Sequence, residues 1–201
     1  MKYRIRNIII GSILGDGYLT SLTMKQHSRL WLKYDDQCLP YLRWLHREMT
    51  PLGVGLIKGK KGYHQHQFLT NSNQEIGALR KLFYPRGEKI IPPTIDRLLV
   101  HPLTLAIWYM DDGTLDYRDK YHYNALLATH CFSRKDCERL TNTLSRNFNI
   151  KASVCRCLMR GKLRYRIYIW SQSMEHFMRL IRPYVLPCLA YKIRKARQQQ
   201  R

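Results

Sequence analysis

Two apolar stretches of this chain stop abruptly at an aspartate followed by glycine. The first is Ile9-Ile10-Gly11-Ser12-Ile13-Leu14-Gly15-Asp16-Gly17, and the second is Leu105-Ala106-Ile107-Trp108-Tyr109-Met110-Asp111-Asp112-Gly113. They lie about half the chain apart. Pro102 suits a first helical turn, and Gly113 suits a helix end that needs positive φ. A buried helix is therefore expected over about 102–112. Its last turn carries Asp111 and Asp112, the wrong charge for that end. A carboxylate there opposes the helix dipole at a cost of about 0.3–1 kcal/mol. A bound cation would give the arrangement a purpose.

The elements that position these groups must come from a chain of 201 residues with 45% apolar content, enough for one large or two small domains with a real core. Its charge is extreme, 35 Lys+Arg against 14 Asp+Glu, or +21. Such self-repulsion points to a polyanionic partner, nucleic acid before an anionic membrane surface. No uninterrupted apolar run of about 18 residues exists to span a bilayer. The basic opening Met1-Lys2-Tyr3-Arg4-Ile5-Arg6 resembles the start of a signal peptide, but Asp16 follows and no cleavage site appears, so a mature N-terminus is expected. None of the six cysteines forms a Cys-x-x-Cys pair, which argues against a zinc ribbon and for buried reduced thiols inside a cell.

Taken in order, the chain reads as a duplicated unit. After Gly17 a hairpin is expected, with residues 24–30 as its second strand, then a helix over 34–49 with Pro40 near its start. A hairpin follows over 54–70, turning at Lys58-Gly59-Lys60-Lys61-Gly62. Asn71 or Ser72 should cap a helix to Phe83, and residues 86–100 read as a linker. The second half repeats the order. Helix 102–112 precedes a strand pair over 115–132 with a turn near 118–120, and Ser133 caps a helix to Phe148. A hairpin follows, 151–158 and 162–170, turning at Arg160-Gly161. In its second strand Leu163, Tyr165, Ile167 and Ile169 alternate with Arg164, Arg166 and Tyr168, a period-two pattern. Ser171 or Ser173 caps a last helix to Ile181. Residues 1–93 form one expected half, 101–194 the other, and 195–201 a basic tail.

The two Asp-Gly stretches resemble the paired motifs of the LAGLIDADG homing endonucleases. The similarity covers nearly the whole chain, and the nearest branch is the single-chain group with tryptophan and Met-Asp-Asp-Gly in its second motif. The resemblance implies an α+β fold of two pseudo-twofold-related αββαββα halves, each with a curved antiparallel four-stranded sheet, and with the motif helices packed at the centre. Gly11 and Gly15, four apart, permit that close approach; Ile107 and Asp111 hold the matching places in the second motif. It further implies a site-specific double-strand DNA endonuclease, monomeric and intracellular, in a bacterial cytoplasm or an organelle.

By the same resemblance Asp16 and Asp112 are the metal pair, with the backbone of Gly15 and Asp111 as further candidate ligands; Asp111 matches a non-ligating motif position, where support of the site or ligation by its side chain are both open. Mg²⁺ suits oxygen ligands supplied by one or two carboxylates, waters and phosphates; Mn²⁺ would substitute, and Ca²⁺ would bind without supporting cleavage. Lys89 and Lys192 match lysines placed near the scissile phosphates, where a cation stabilises developing charge. Gln26 and His130 match a polar residue on an early strand beside the metals, with histidine replacing the expected glutamine. The DNA-reading surface would include Lys58, Lys60, Lys61, His64 and His66 in one half, and Arg118, Arg164, Arg166 and Tyr168 in the other. His64 and His66 share a strand face, but a zinc pair there would need further ligands.

Two rivals read the same residues differently. Tyr109-Met110-Asp111-Asp112 spells a reverse-transcriptase tetrapeptide, but here it ends a helix in a chain too short for a polymerase. An intron RNA maturase or a non-cleaving DNA-binding protein of the same fold is the stronger alternative, although both motif aspartates are kept. The charge makes a direct prediction. With about six to ten phosphates contacted, DNA affinity should fall about 10³–10⁵-fold between about 50 and 200 mM salt; a flat salt dependence in a binding titration would remove the nucleic-acid reading.

Overall fold

The computed structural model describes residues 1–60, 62–118 and 122–194. Lys61 and the basic tail lie outside the described residues, as does the turn after Arg118. The first half contains α1 (Tyr3–Leu14), β1 (Tyr18–Leu19), β2 (Leu30–Asp35), α2 (Leu39–Met49), β3 (Lys58–Lys60), β4 (Tyr63–Leu69) and α3 (Gln74–Phe83). The second contains α4 (Pro102–Asp112), β5 (Gly113–Arg118), β6 (His122–Leu127), α5 (Arg134–Phe148), β7 (Ala152–Met159), β8 (Lys162–Ile169) and α6 (Ser171–Ile181). Each half builds an antiparallel four-stranded sheet, in the order β1-β2-β4-β3 and β5-β6-β8-β7. The same order twice is the αββαββα duplication, in an α+β fold.

Local chemistry sets most boundaries. Pro102 opens α4, and the His101 imidazole accepts from the Leu103 N–H at 3.0 Å. Ser133 and Asp136 form a capping box at the start of α5, and Asn149 ends that helix at φ 53°. Other boundaries differ from expectation. Asn73, rather than Asn71 or Ser72, caps α3, its carboxamide accepting from Glu75 and Ile76 N–H. No side chain caps α6: Ser171 is its first residue, and Ser173 Oγ instead accepts from the Lys151 N–H at 2.8 Å.

The largest shift concerns β2. Residues 24–26 form a turn, and the strand is Leu30-Trp31-Leu32-Lys33-Tyr34-Asp35. Leu30, Leu32 and Tyr34 are buried, while Lys33 and Asp35 are exposed. Tyr34 fits helical spacing as well, but pairing with β4 holds it in the sheet. The helix waits until Leu39, and the Asp35 carboxylate accepts from the Cys38 N–H at 3.0 Å to begin the turn between them. Lys58–Lys60 likewise joins the sheet instead of the turn.

The centre of the molecule is the contact of α1 with α4. A Cβ on Gly11 would lie 2.6 Å from Ile107 Cβ and 2.7 Å from the Thr104 carbonyl oxygen; one on Gly15 would lie 2.4 Å from Asp111 Cβ. The second motif therefore needs no glycines of its own, because its Ile107 and Asp111 side chains fill the space the first motif leaves. At the far end Thr104 Oγ1 donates to the Asn7 carbonyl at 3.2 Å. Gly113 is glycine for space too, with φ at −80° rather than positive and a Cβ there 2.1 Å from the Tyr109 ring. Ile8, Ile9, Ile10 and Ile13 of α1 and Leu105, Ala106, Ile107, Trp108 and Tyr109 of α4 are at most 1% exposed, within one core cluster spanning both halves.

Gly11→Ala forces a methyl into that contact and should cost about 1–3 kcal/mol, the range for overpacking a filled core. Urea unfolding measures it, and an unchanged midpoint would contradict the close approach.

Candidate functional site

Because α1 and α4 meet along their glycine seam, their C-terminal ends arrive together. Asp16 follows α1 and is exposed; Asp112 is the last residue of α4 and is half-buried. Each end receives a lysine from its own half. Lys89 Nζ donates to the carbonyls of Gly15 at 2.9 Å and Gly17 at 3.4 Å. Lys192 Nζ donates to the carbonyls of Met110 at 2.6 Å and Asp111 at 3.1 Å. Both ammoniums thus sit on the negative ends of the two helices. Tyr109 OH steadies the second lysine by donating to the Lys192 carbonyl at 2.7 Å.

Electrostatics at this junction follows from burial. Burial and the charge of Asp16 push the Asp112 carboxyl up to about 7, against relief from Lys89 and Lys192. Asp16 is raised by burial and by Asp35, with the same two lysines opposing. Burial lowers both lysines, while the surrounding carboxylates raise them. Asp111 behaves differently from its neighbour. Its carboxyl turns into the first half, accepting from Tyr34 OH at 2.9 Å and from the Asp16 N–H at 3.3 Å, and burial raises it well above the usual carboxylate range.

Sheet register decides which side residues belong here. Gly113 pairs with Leu127, and Tyr18 with Trp31, so Leu127 and Leu32 occupy matching places beside the two motifs. Three residues on stand His130 and Asp35, but β6 ends at Leu127 while β2 runs on through Asp35, so the match there is one of count and not of register. Gln26, expected on that strand, sits instead in a turn at φ 59° and is exposed. His130 lies just past β6; burial and the nearby Arg166 and Arg164 lower its imidazole.

The strands also separate the expected DNA contacts by face. On β8 Ile167 and Ile169 are buried against the helices, which leaves Arg164, Arg166 and Tyr168 on the open face. Arg118 joins them on β5, its guanidinium 3.9 Å from Asp116. Lys58 pairs with Gln67 and so lies on the open face of the first sheet with Lys33 and Trp31. His66 pairs with Tyr34, and His64 and His66 alternate in step with buried Phe68. They therefore stand on the helix side, where Asp36 takes His66 at 2.9 Å and His64 at 3.0 Å. Trp31, Lys33, Gln65 and Gln67 are the open-face residues that sequence reading missed; the alternation of β2, which begins where the expected strand 24–30 ended, carried the signal for the first two, and pairing with β2 orients the others.

This twin junction of Asp-Gly helix ends and two like sheets matches a known design. A family model described as the LAGLIDADG DNA endonuclease family matches residues 6–177. The chain belongs to that family. Its relatives include the cytochrome b mRNA maturase bI2 of Saccharomyces cerevisiae, 31% identical over 96% of this chain and 48% of the maturase, so the chain spans about half the length of that protein. The DNA endonuclease I-ChuI of Chlamydomonas applanata is 26% identical over 94% of this chain and 93% of its own length. Among solved structures, the homing endonuclease I-WcaI bound to its DNA recognition sequence shares the fold, with a TM-score of 0.78 and 24% identity over 96% of this chain and 87% of that one.

The divalent metal that the family resemblance implies fits the donors present. Among the described residues neither Asp16 nor Asp112 forms an ion pair, although each is partly desolvated, and the lysines bind carbonyls instead. The Gly15 and Asp111 carbonyls each keep a second lone pair. Among the described residues no group of three or more His, Cys, Asp and Glu side chains is arranged to hold a metal. The protein thus offers part of an octahedral oxygen shell, and waters and substrate phosphates suit the remainder.

Asp112 keeps its proton up to about pH 7 when folded, whereas an ordinary carboxyl loses it near about 4. The folded chain binds more protons than the unfolded one between those values. That contribution is complete below about pH 4 and disappears as pH rises through about 7; Asp16 and Asp111 act in the same direction. Without metal, stability to urea should fall over that window, and Asp112→Asn should flatten the fall. A variant with the parent's slope would show that Asp112 is not desolvated.

Proposed function

We propose that this chain is a site-specific double-strand DNA endonuclease that hydrolyses one phosphodiester on each strand at a long, asymmetric target. The observation that carries the reading is the pair of Asp-Gly helix ends joined at the α1–α4 seam, each with a lysine seated on its carbonyls. Asp16 and Asp112 would hold divalent metal, with Mg²⁺ the expected ion. Bound there, the metal would activate water and neutralise charge on the attacking and leaving oxygens.

The chain's own residues do the rest. Lys89 and Lys192, fixed on backbone carbonyls, direct positive charge at phosphates brought to the two motif ends. His130, kept neutral by burial and by Arg164 and Arg166, can accept a hydrogen bond from water in the second half. Asp35, exposed at the end of β2, is the first-half polar group at the same count along the chain, and Gln26 lies in the exposed turn before that strand. Arg164, Arg166 and Tyr168 in one half, and Lys58 and Lys33 in the other, offer the open sheets to DNA. Arginine forks onto guanine edges, while lysine serves phosphate. Because one chain supplies both motif ends, a monomer suffices.

The likeness to a yeast maturase supports a second reading, in which the same fold binds intron RNA. Selection of cleaved members from a randomised duplex library with Mg²⁺ separates the two. Asp16→Asn and Asp112→Asn should each abolish cleavage while DNA binding in Ca²⁺ survives. Full activity in either variant would refute the metal assignment. A parent protein that cuts nothing yet binds structured intron RNA would favour the maturase.

A further inference from the structure

Asp111 is the one polar residue of the second motif that stands opposite a glycine of the first. At the matching place in the first motif stands Gly15, which has no side chain to send across the seam. Asp111 Cβ packs where a Gly15 Cβ would be, and the carboxyl passes over Gly15 into the first half. There one oxygen accepts from the Asp16 backbone N–H at 3.3 Å and the other from Tyr34 OH at 2.9 Å. Tyr34 belongs to β2, and its ring packs edge-on against Tyr41 of α2 at 5.2 Å. The Tyr41 hydroxyl is buried beside them; among the described residues it makes no hydrogen bond of ordinary geometry, yet it lies near enough to Asp111 to act on it as a weak donor. Meanwhile the Asp111 carbonyl accepts from Lys192 on its own side.

We propose that Asp111 is a positioning residue: its side chain holds the Asp16 backbone in register with α4, through a bridge anchored by Tyr34, and so places Asp16 for its ligand. The control runs one way. The second motif reaches into the first, and Gly15 sends nothing back. The two halves of the site are therefore unequal by construction, with Asp16 placed by a cross-seam bridge and Asp112 by its own helix. The inference rests on the endonuclease reading only for its effect on cleavage; the placing of Asp16 stands without it.

Three variants separate bridging from packing. Asp111→Leu keeps the branched shape but accepts no hydrogen bond. Asp111→Asn can turn its carbonyl to the Asp16 N–H and its amide to the Tyr34 oxygen. Tyr34→Phe removes only the anchoring donor. Mn²⁺ affinity of the protein alone should weaken about 10–100-fold in Asp111→Leu, as for other residues that orient a metal ligand, and recover in Asp111→Asn. Tyr34→Phe should weaken it less, and should add little to Asp111→Leu. On a supercoiled plasmid bearing the selected target, Asp111→Leu should accumulate singly nicked circles, since only Asp16 is displaced. Parental Mn²⁺ affinity in Asp111→Leu would overturn the proposal. So would equal slowing of both strands with a lowered Tm and no recovery in Asp111→Asn, which is the mark of a packing role. Should the parent cleave no target, the endonuclease reading fails, and the Mn²⁺ comparison still decides this one.

Discussion

Everything at the site depends on the backbone of α1 lying against α4 at Gly11 and Gly15. The contact is electrostatically adverse. It brings together two helix ends that each carry about half a negative charge, and it adds two carboxylates. Each mismatch costs about 1 kcal/mol or less at a surface and more where water is excluded. Against this, Ile8, Ile9, Ile10, Ile13 and Leu14 of α1 alone are fully buried, and each such side chain contributes about 1.5–3 kcal/mol. Apolar burial therefore wins, and the fold can hold an unneutralised cluster of oxygens where its two halves meet. The two lysines relieve the carbonyl ends without occupying the carboxylates, which leaves those available.

The same seam explains why the duplication is not symmetric. A pair of glycines on both helices would leave a void, and bulk on both would collide. The chain resolves this with glycine on one side and Ile107 and Asp111 on the other. Once Asp111 crosses the seam, its carboxyl enters a buried space that must satisfy it. Tyr34 and the Asp16 N–H supply donors, and the rest of the cost appears as a strongly raised affinity for a proton. What looked in the sequence like a doubled carboxylate is thus two groups with different work: Asp112 faces the shared junction, and Asp111 ties the halves together.

How much was legible in the sequence depended on whether the signal was local. The α4 boundaries followed from Pro102 and from the Asp-Gly stop, and α5 from Ser133 as its cap. The two like four-stranded sheets followed from the family resemblance, while their strand order came only with the structure. Failures came where two periodicities agreed with the same residues. Tyr34 completes a strand alternation with Leu30 and Leu32, and it also fits a helical spacing with Cys38 and Leu42. Only pairing with β4, more than thirty residues on, decides between them. That slip moved the expected strand onto a turn and placed Gln26 on a strand that begins only at Leu30.

Alternation shows that a strand has two faces, but it does not say which face the helices cover. In β8 the buried Ile167 and Ile169 settle the matter within the strand, so Arg164, Arg166 and Tyr168 could be assigned directly. In β4 Phe68 is the one buried residue, and a lone aromatic among polar neighbours is weak guidance. Histidines on a basic hairpin then look like nucleic-acid contacts. The partner strand corrects this, because Tyr34 opposite His66 belongs to the covered face, and Asp36 holds both imidazoles away from the open one. A strand whose apolar residues are few must therefore borrow its orientation from its neighbour. The polar face it does present, with Lys58 and Gln67 beside Lys33, becomes visible only after β2 has been placed.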